Sequence, residues 1–194
     1  KKENVLECID IITPSLALGL SFGRLGCFLN GCCWGGPSNV PWAFAWPEGT
    51  LPYNAAAAEW QLAHPVQDLP ADWIMPTIHP AQIYSWLNAV LLFVVLWFLF
   101  RSKRRHGQIL GTFGALYSVS RFLIEVLRSD EAKAYLFGLP TLFRSFGRGD
   151  LVAYLPTMTI SQNVSVVVFI ISIIFLRTIL RSHHRALVVK PTAQ

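Results

Sequence analysis

Charge is what this sequence has least of. Only 14% of its 194 residues are Asp, Glu, Lys or Arg, where an ordinary soluble domain carries about a quarter. The shortage excludes a conventional water-soluble fold, and 53% hydrophobic residues with a mean hydropathy of +0.44 point to lipid. Lys and Arg are absent from 31–81 and elsewhere fall in short clusters between apolar runs, despite a net charge of +5. That pattern fits the positive-inside bias of membrane proteins and excludes nucleic acid as a partner. Cysteine is also scarce: Cys27, Cys32 and Cys33 form a C-x4-C-C group with no second cluster. Structural zinc sites usually show paired C-x2–4-C units, so no metal is expected. A Cys27–Cys32 disulfide stays open by distance, but small side chains packing at a helix end are the commoner outcome. Cys8 reads as a lone packing residue.

What the sequence does have is apolar length. Crossing a bilayer takes about 20 mostly apolar residues, and four segments qualify: Ile11 to Leu29, Gln82–Phe100, Gln108–Leu127 and Ile160–Leu180. The fold class expected is therefore all-α, a polytopic membrane bundle forming a single transmembrane domain over 1–194. The dense cluster RSKRR (101–105) places the end of the second helix in the cytoplasm. Residues 31–81, rich in Pro and Trp, then read as an irregular outer-face loop hugging the interface, with 128–158 as a second outer loop. The chain opens KKENVLECIDII on Lys1, which reads as a segment cut from something longer, so further N-terminal helices are expected.

Three charges stand where a membrane helix should have none. Arg24 lies near the end of the first run, and Arg121 and Glu125 lie within the third. A charge at mid-membrane costs about 2.5–3.5 kcal/mol on insertion scales, so such residues face the protein interior. Arg121 and Glu125 are four apart and pair on one face, with Tyr117 and Arg128 a turn to either side. That pair by itself also suits a purely structural role. Arg24 has no carboxylate within helical reach, and two arginines with one carboxylate suit a bound phosphate; snorkelling to headgroups is the alternative for Arg24. Gly19, Gly23 and Gly26, like Gly107, Gly111 and Gly114, recur at spacings that let helices approach closely. Gly31, Gly35 and Gly36 follow the first helix, where left-handed backbone or close approach is expected. His79 opens IHPAQIYSW with Pro80, Gln82 and Tyr84 behind it; a lone interfacial His more often caps or hydrogen-bonds than catalyses.

Together these blocks resemble one family, the bacterial prolipoprotein diacylglyceryl transferases. GRLGCFLNGCCWG (23–35) is similar to the family signature GRxGNFxNGE followed by Gly, IHPAQIY (78–84) to its HPSQLYE block, and YSVSRFLIEVLRSDE (117–131) to its YGxxRFxxExxRxPD block. TMTISQNVSV (157–166) is similar to its T-x-x-Q-x-x-S segment. The resemblance implies a multi-pass enzyme of the bacterial inner membrane with its site toward the outer leaflet. It would move the diacylglyceryl group of phosphatidylglycerol to the lipobox cysteine of a prolipoprotein, releasing glycerol phosphate. It needs no cofactor, and its partners are that lipid, the prolipoprotein signal peptide and surrounding membrane lipids. It further implies Arg24, Arg121 and Glu125 as catalytic residues, with Arg24, Asn30, Gly35, His79, Gln82, Tyr117 and Arg121 binding substrate. The signature's first Asn is Cys27 here and its Glu is Cys32, and nothing matches the family's HGG-type block, which leaves His79 as the histidine placed to substitute. A phospholipid-binding membrane protein without catalysis is the competing reading, and a thiol-dependent metal transporter rests on the cysteines alone.

Overall fold

The structure, a computed structural model, describes residues 5–103, 105–128 and 159–188. It is all-helical over these residues: α1 (Val5–Asn30), α2 (Leu51–Ala63), α3 (Ala81–Ser102), α4 (Gln108–Val126) and α5 (Ile160–Val188). Four of them are long and apolar enough to cross a membrane: α1, α3, α4 and the Ser161–Arg181 part of α5. Their outer faces are apolar and exposed, as at Leu91, Phe98 and Ile171, which is how a bundle meets lipid rather than water. Residues 129–158, the greater part of the expected second loop, lie outside the described residues.

α1 packs chiefly on α3, and α4 chiefly on α5, with α3 and α4 joining the two pairs. The core is a short column of Ala17, Leu92, Leu96, Ile109 and Phe113. α1 begins at Val5 rather than Ile11 and runs through Pro14 without ending. Proline removes one backbone donor, the bond to the carbonyl four residues back, and a buried bundle helix tolerates that loss.

At the Asp10 end the charges are structural. Asp10 is fully buried, and its carboxylate accepts the backbone N–H groups of Gly107 at 2.8 Å and Leu110 at 3.0 Å. These are orphan donors at the start of α4, so a side chain from α1 caps a different helix. Lys103 Nζ lies 3.7 Å from the same carboxylate, and the Arg105 guanidinium donates to the carbonyls of Ile179 and Leu180 on α5.

Two expectations need correction. Residues 31–81 are not wholly irregular, because Leu51–Ala63 folds as α2. Pro52 near the first helical position and the run Ala55–Ala58 explain it: proline presets the first turn, and alanine is the strongest helix former. His64 ends the helix, because the Pro65 ring disfavours helical backbone at the residue before it. The glycine stripes also differ. A Cβ on Gly107, Gly111 or Gly114 would fall within 2.9 Å of α5 side chains, whereas one on Gly19, Gly23 or Gly26 would meet nothing within 4 Å. The stripe on α4 is a packing face; that on α1 is exposed among the described residues.

Candidate active site at the Arg24 end of the bundle

Three helix ends are tied together here by backbone. α1 closes in a Schellman motif, with the Gly31 N–H on the Phe28 carbonyl at 3.1 Å and the Cys32 N–H on the Cys27 carbonyl at 3.0 Å. Gly31 sits at φ +67, the left-handed backbone that this cap requires. The chain then passes Gly35, whose N–H donates to the His79 carbonyl at 3.1 Å, and Gly36, whose N–H donates to the Leu127 carbonyl at 2.9 Å. The His79 N–H returns to the Gly36 carbonyl at 3.0 Å. A Cβ on Gly35 would stand 2.6 Å from His79 Cβ and 2.9 Å from the Leu127 carbonyl oxygen. Only glycine fits, because the end of α1, the start of α3 and the end of α4 meet at this point.

The charged residues sit just below this junction. Arg121 and Glu125 form a direct ion pair on α4, and Arg128 Nη1 lies 3.5 Å from the same Glu125 oxygen. The Thr159 hydroxyl donates to the other oxygen, Oε1, at 3.2 Å. Thr159 itself opens α5 as a capping box: its Oγ1 accepts the Gln162 N–H at 3.2 Å, while Gln162 Oε1 accepts the Thr159 N–H at 3.0 Å. The T-x-x-Q segment noted in the sequence is thus a helix start that also orients a carboxylate.

Arg24 and Arg121 come together in one narrow pocket, lined also by Tyr117, Ser85, Asn88 and Leu20. Its free space, about 20 Å³, holds roughly one water. No carboxylate lies within ion-pair distance of Arg24 among the described residues. Two apolar clefts flank the charges: about 240 Å³ between α4 and α5, including Phe122 and Phe169, and about 430 Å³ beside Phe28, Trp42 and Ile83.

The remaining expected residues divide. Gln82 is buried, and its Nε2 donates to the Cys32 carbonyl at 2.9 Å while Oε1 has no hydrogen-bond partner among the described residues. His79 Nδ1 lies 3.1 Å from the Tyr84 hydroxyl, which also accepts Trp42 Nε1–H at 2.6 Å. Neither His79 nor Gln82 lines the pocket of the arginines, and Gly35 serves the backbone junction. Asn30 is exposed at the end of α1. Sequence reasoning did not single out Ser85, Asn88 and Thr159. The signal for the first two was present, as polar residues three apart in the apolar run of α3.

The cysteines are free thiols, with Cys32 Sγ 3.7 Å from the Cys27 carbonyl. Burial, then the neighbouring Cys27, push the Cys33 thiol up to about 11, with Arg128 pulling the other way.

Compared with known proteins, residues 1–178 match the family profile described as prolipoprotein diacylglyceryl transferase. This chain belongs to that family. It is 38% identical over 140 residues to the phosphatidylglycerol–prolipoprotein diacylglyceryl transferase of Polynucleobacter necessarius, covering 72% of this chain and 44% of that protein. The protein of the same name from Nitratidesulfovibrio vulgaris is 34% identical over 71% of this chain and 44% of its own length. That from Burkholderia mallei is 35% identical over 76% and 51%. The chain therefore spans about half the length of the curated relatives it matches. The diacylglyceryl transferase blocks, far apart in sequence, converge on this one end of the bundle.

Proposed function

We propose that this chain carries the phospholipid-binding and transfer site of a phosphatidylglycerol–prolipoprotein diacylglyceryl transferase. The single observation behind the proposal is the pocket that Arg24 of α1 and Arg121 of α4 line together. Arg24 has no ion-pair partner among the described residues, so its positive charge stands where a phosphate would sit. The lipobox thiol loses its proton, its sulfur bonds to the terminal glyceryl carbon, and the carbon–oxygen bond to phosphate breaks. Glycerol phosphate departs with the new negative charge on its phosphate oxygen. Guanidinium groups held where that charge develops stabilise the transition state, an effect worth about 10²–10³ in rate for a single donor. Glu125 holds Arg121 in place, and Tyr117 supplies a hydroxyl at the pocket wall. The apolar clefts beside the charges suit acyl chains, and the arginine-rich 101–105 segment at the opposite end supports an orientation with this site toward the outer leaflet of the cytoplasmic membrane.

A second reading, phospholipid binding without transfer, is favoured by thiols standing at two polar signature positions, Cys27 and Cys32. One assay separates the two. Membranes carrying the complete protein, in cells lacking any other such transferase, are given labelled phosphatidylglycerol and a lipobox peptide. Label in the peptide, lost with Arg24→Ala or Arg121→Ala, supports transfer. Lipid binding with no label in the peptide supports the second reading, and unchanged label in both variants overturns the site.

A further inference from the structure

The signature of this chain holds an arrangement that the transfer reaction does not use. The Sγ atoms of Cys27, Cys32 and Cys33 all lie within 4.8 Å of one another, each side chain half-buried. Spacing alone hid this, because the chain reverses direction at the end of α1. The Schellman turn brings Cys32 back over Cys27, and Cys33 takes φ +62, the single non-glycine residue with positive φ among the described residues. Left-handed backbone suits glycine or asparagine and is strained for a cysteine. At this position the sequence nevertheless carries a thiol, and that thiol completes the trio.

We propose that Cys27, Cys32 and Cys33 form a three-thiolate site for a soft, thiophilic d¹⁰ cation, with Cu(I) the best match. A metal–sulfur distance of about 2.3 Å puts the sulfurs of a trigonal site about 4.0 Å apart, so the observed triangle closes with sub-ångström shifts. No histidine, carboxylate or fourth cysteine joins the group among the described residues. An all-sulfur, three-donor set selects soft monovalent copper over harder cations that favour nitrogen and oxygen ligands. Binding replaces the three thiol protons, which leave to solvent. Arg128, paired by a backbone bridge with Gly35 and electrostatically coupled to Cys33, offsets the negative charge that builds up. The cation would staple the last turn of α1 to the loop leading to Gly35.

The test uses the complete protein, purified in detergent under reducing conditions and titrated with Cu(I) against a chromophoric copper chelator. A single Cu(I) per chain is expected, with Cys27→Ser, Cys32→Ser and Cys33→Ser each weakening binding by about 100-fold and Cys8→Ser changing nothing. X-ray absorption at the copper edge should show three sulfur neighbours. Should the serine variants fold poorly, wild-type protein decides: Cu(I) should shield these three cysteines, and not Cys8, from maleimide in peptide mass spectra. Unchanged affinity in the three variants, two or fewer sulfur neighbours, or equal labelling with and without copper overturns the proposal. So does a disulfide within the trio in protein taken from membranes without reductant.

Discussion

Two buried carboxylates stand at opposite ends of this bundle, and they are used differently. Asp10 meets two backbone N–H groups and one lysine, so its charge is spent on holding α1, α3 and α4 in register. Glu125 meets two arginines and one hydroxyl, with Arg24 in the neighbouring pocket adding a further positive charge. The first carboxylate ties helix ends together; the second stands beside a pocket that two arginines line. The difference explains why a polar stripe inside a membrane helix is not by itself informative, while the pocket beside it is.

The comparison can be broken at several points. Arg24→Ala should cost the most on function, about 10²-fold or more in diacylglyceryl transfer, with little change in melting temperature in detergent, because Arg24 has no ion-pair partner among the described residues to orphan. Gly35→Ala should be the worst for folding, since its Cβ would collide with backbone. A loss of about 3 kcal/mol, read as a large drop in detergent melting temperature, is expected. Asp10→Ala should cost about 2–3 kcal/mol by leaving Gly107 and Leu110 N–H groups unsatisfied, while transfer per folded molecule stays normal. If Asp10→Ala instead reduced turnover without touching stability, the division of labour between the two ends would be wrong. Thr159→Val should cost about 1–2 kcal/mol through the lost cap and carboxylate bond. Smallest of all, Gly23→Ala should be tolerated within about 1 kcal/mol, whereas Gly111→Ala must push Leu176 aside.

Much of this was legible beforehand. Four runs of apolar length sufficed for the four long helices, because a bilayer imposes a length that short-range packing cannot disguise. The charged residues of the site were legible for the same reason, as each is costly in lipid. What stayed hidden depends on contacts distant in sequence. Asp10 caps a helix that begins at Gln108, and nothing near Asp10 announces it. The approach of Cys33 to the other two thiols depends on a chain reversal that linear spacing does not record. α2 was missed for a different reason: the prolines and tryptophans around it outweighed the alanine run inside.

The glycine junction also has a consequence for how such a sequence can drift. The three helix ends are held at Gly35 by main-chain bonds that any residue at the flanking positions can supply. Side chains around the turn are therefore free to be exchanged, a carboxylate or amide for a thiol, without altering the spacing of the helices that carry Arg24 and Arg121. A frame made of peptide groups lets the decoration change chemistry while the arginines keep their places.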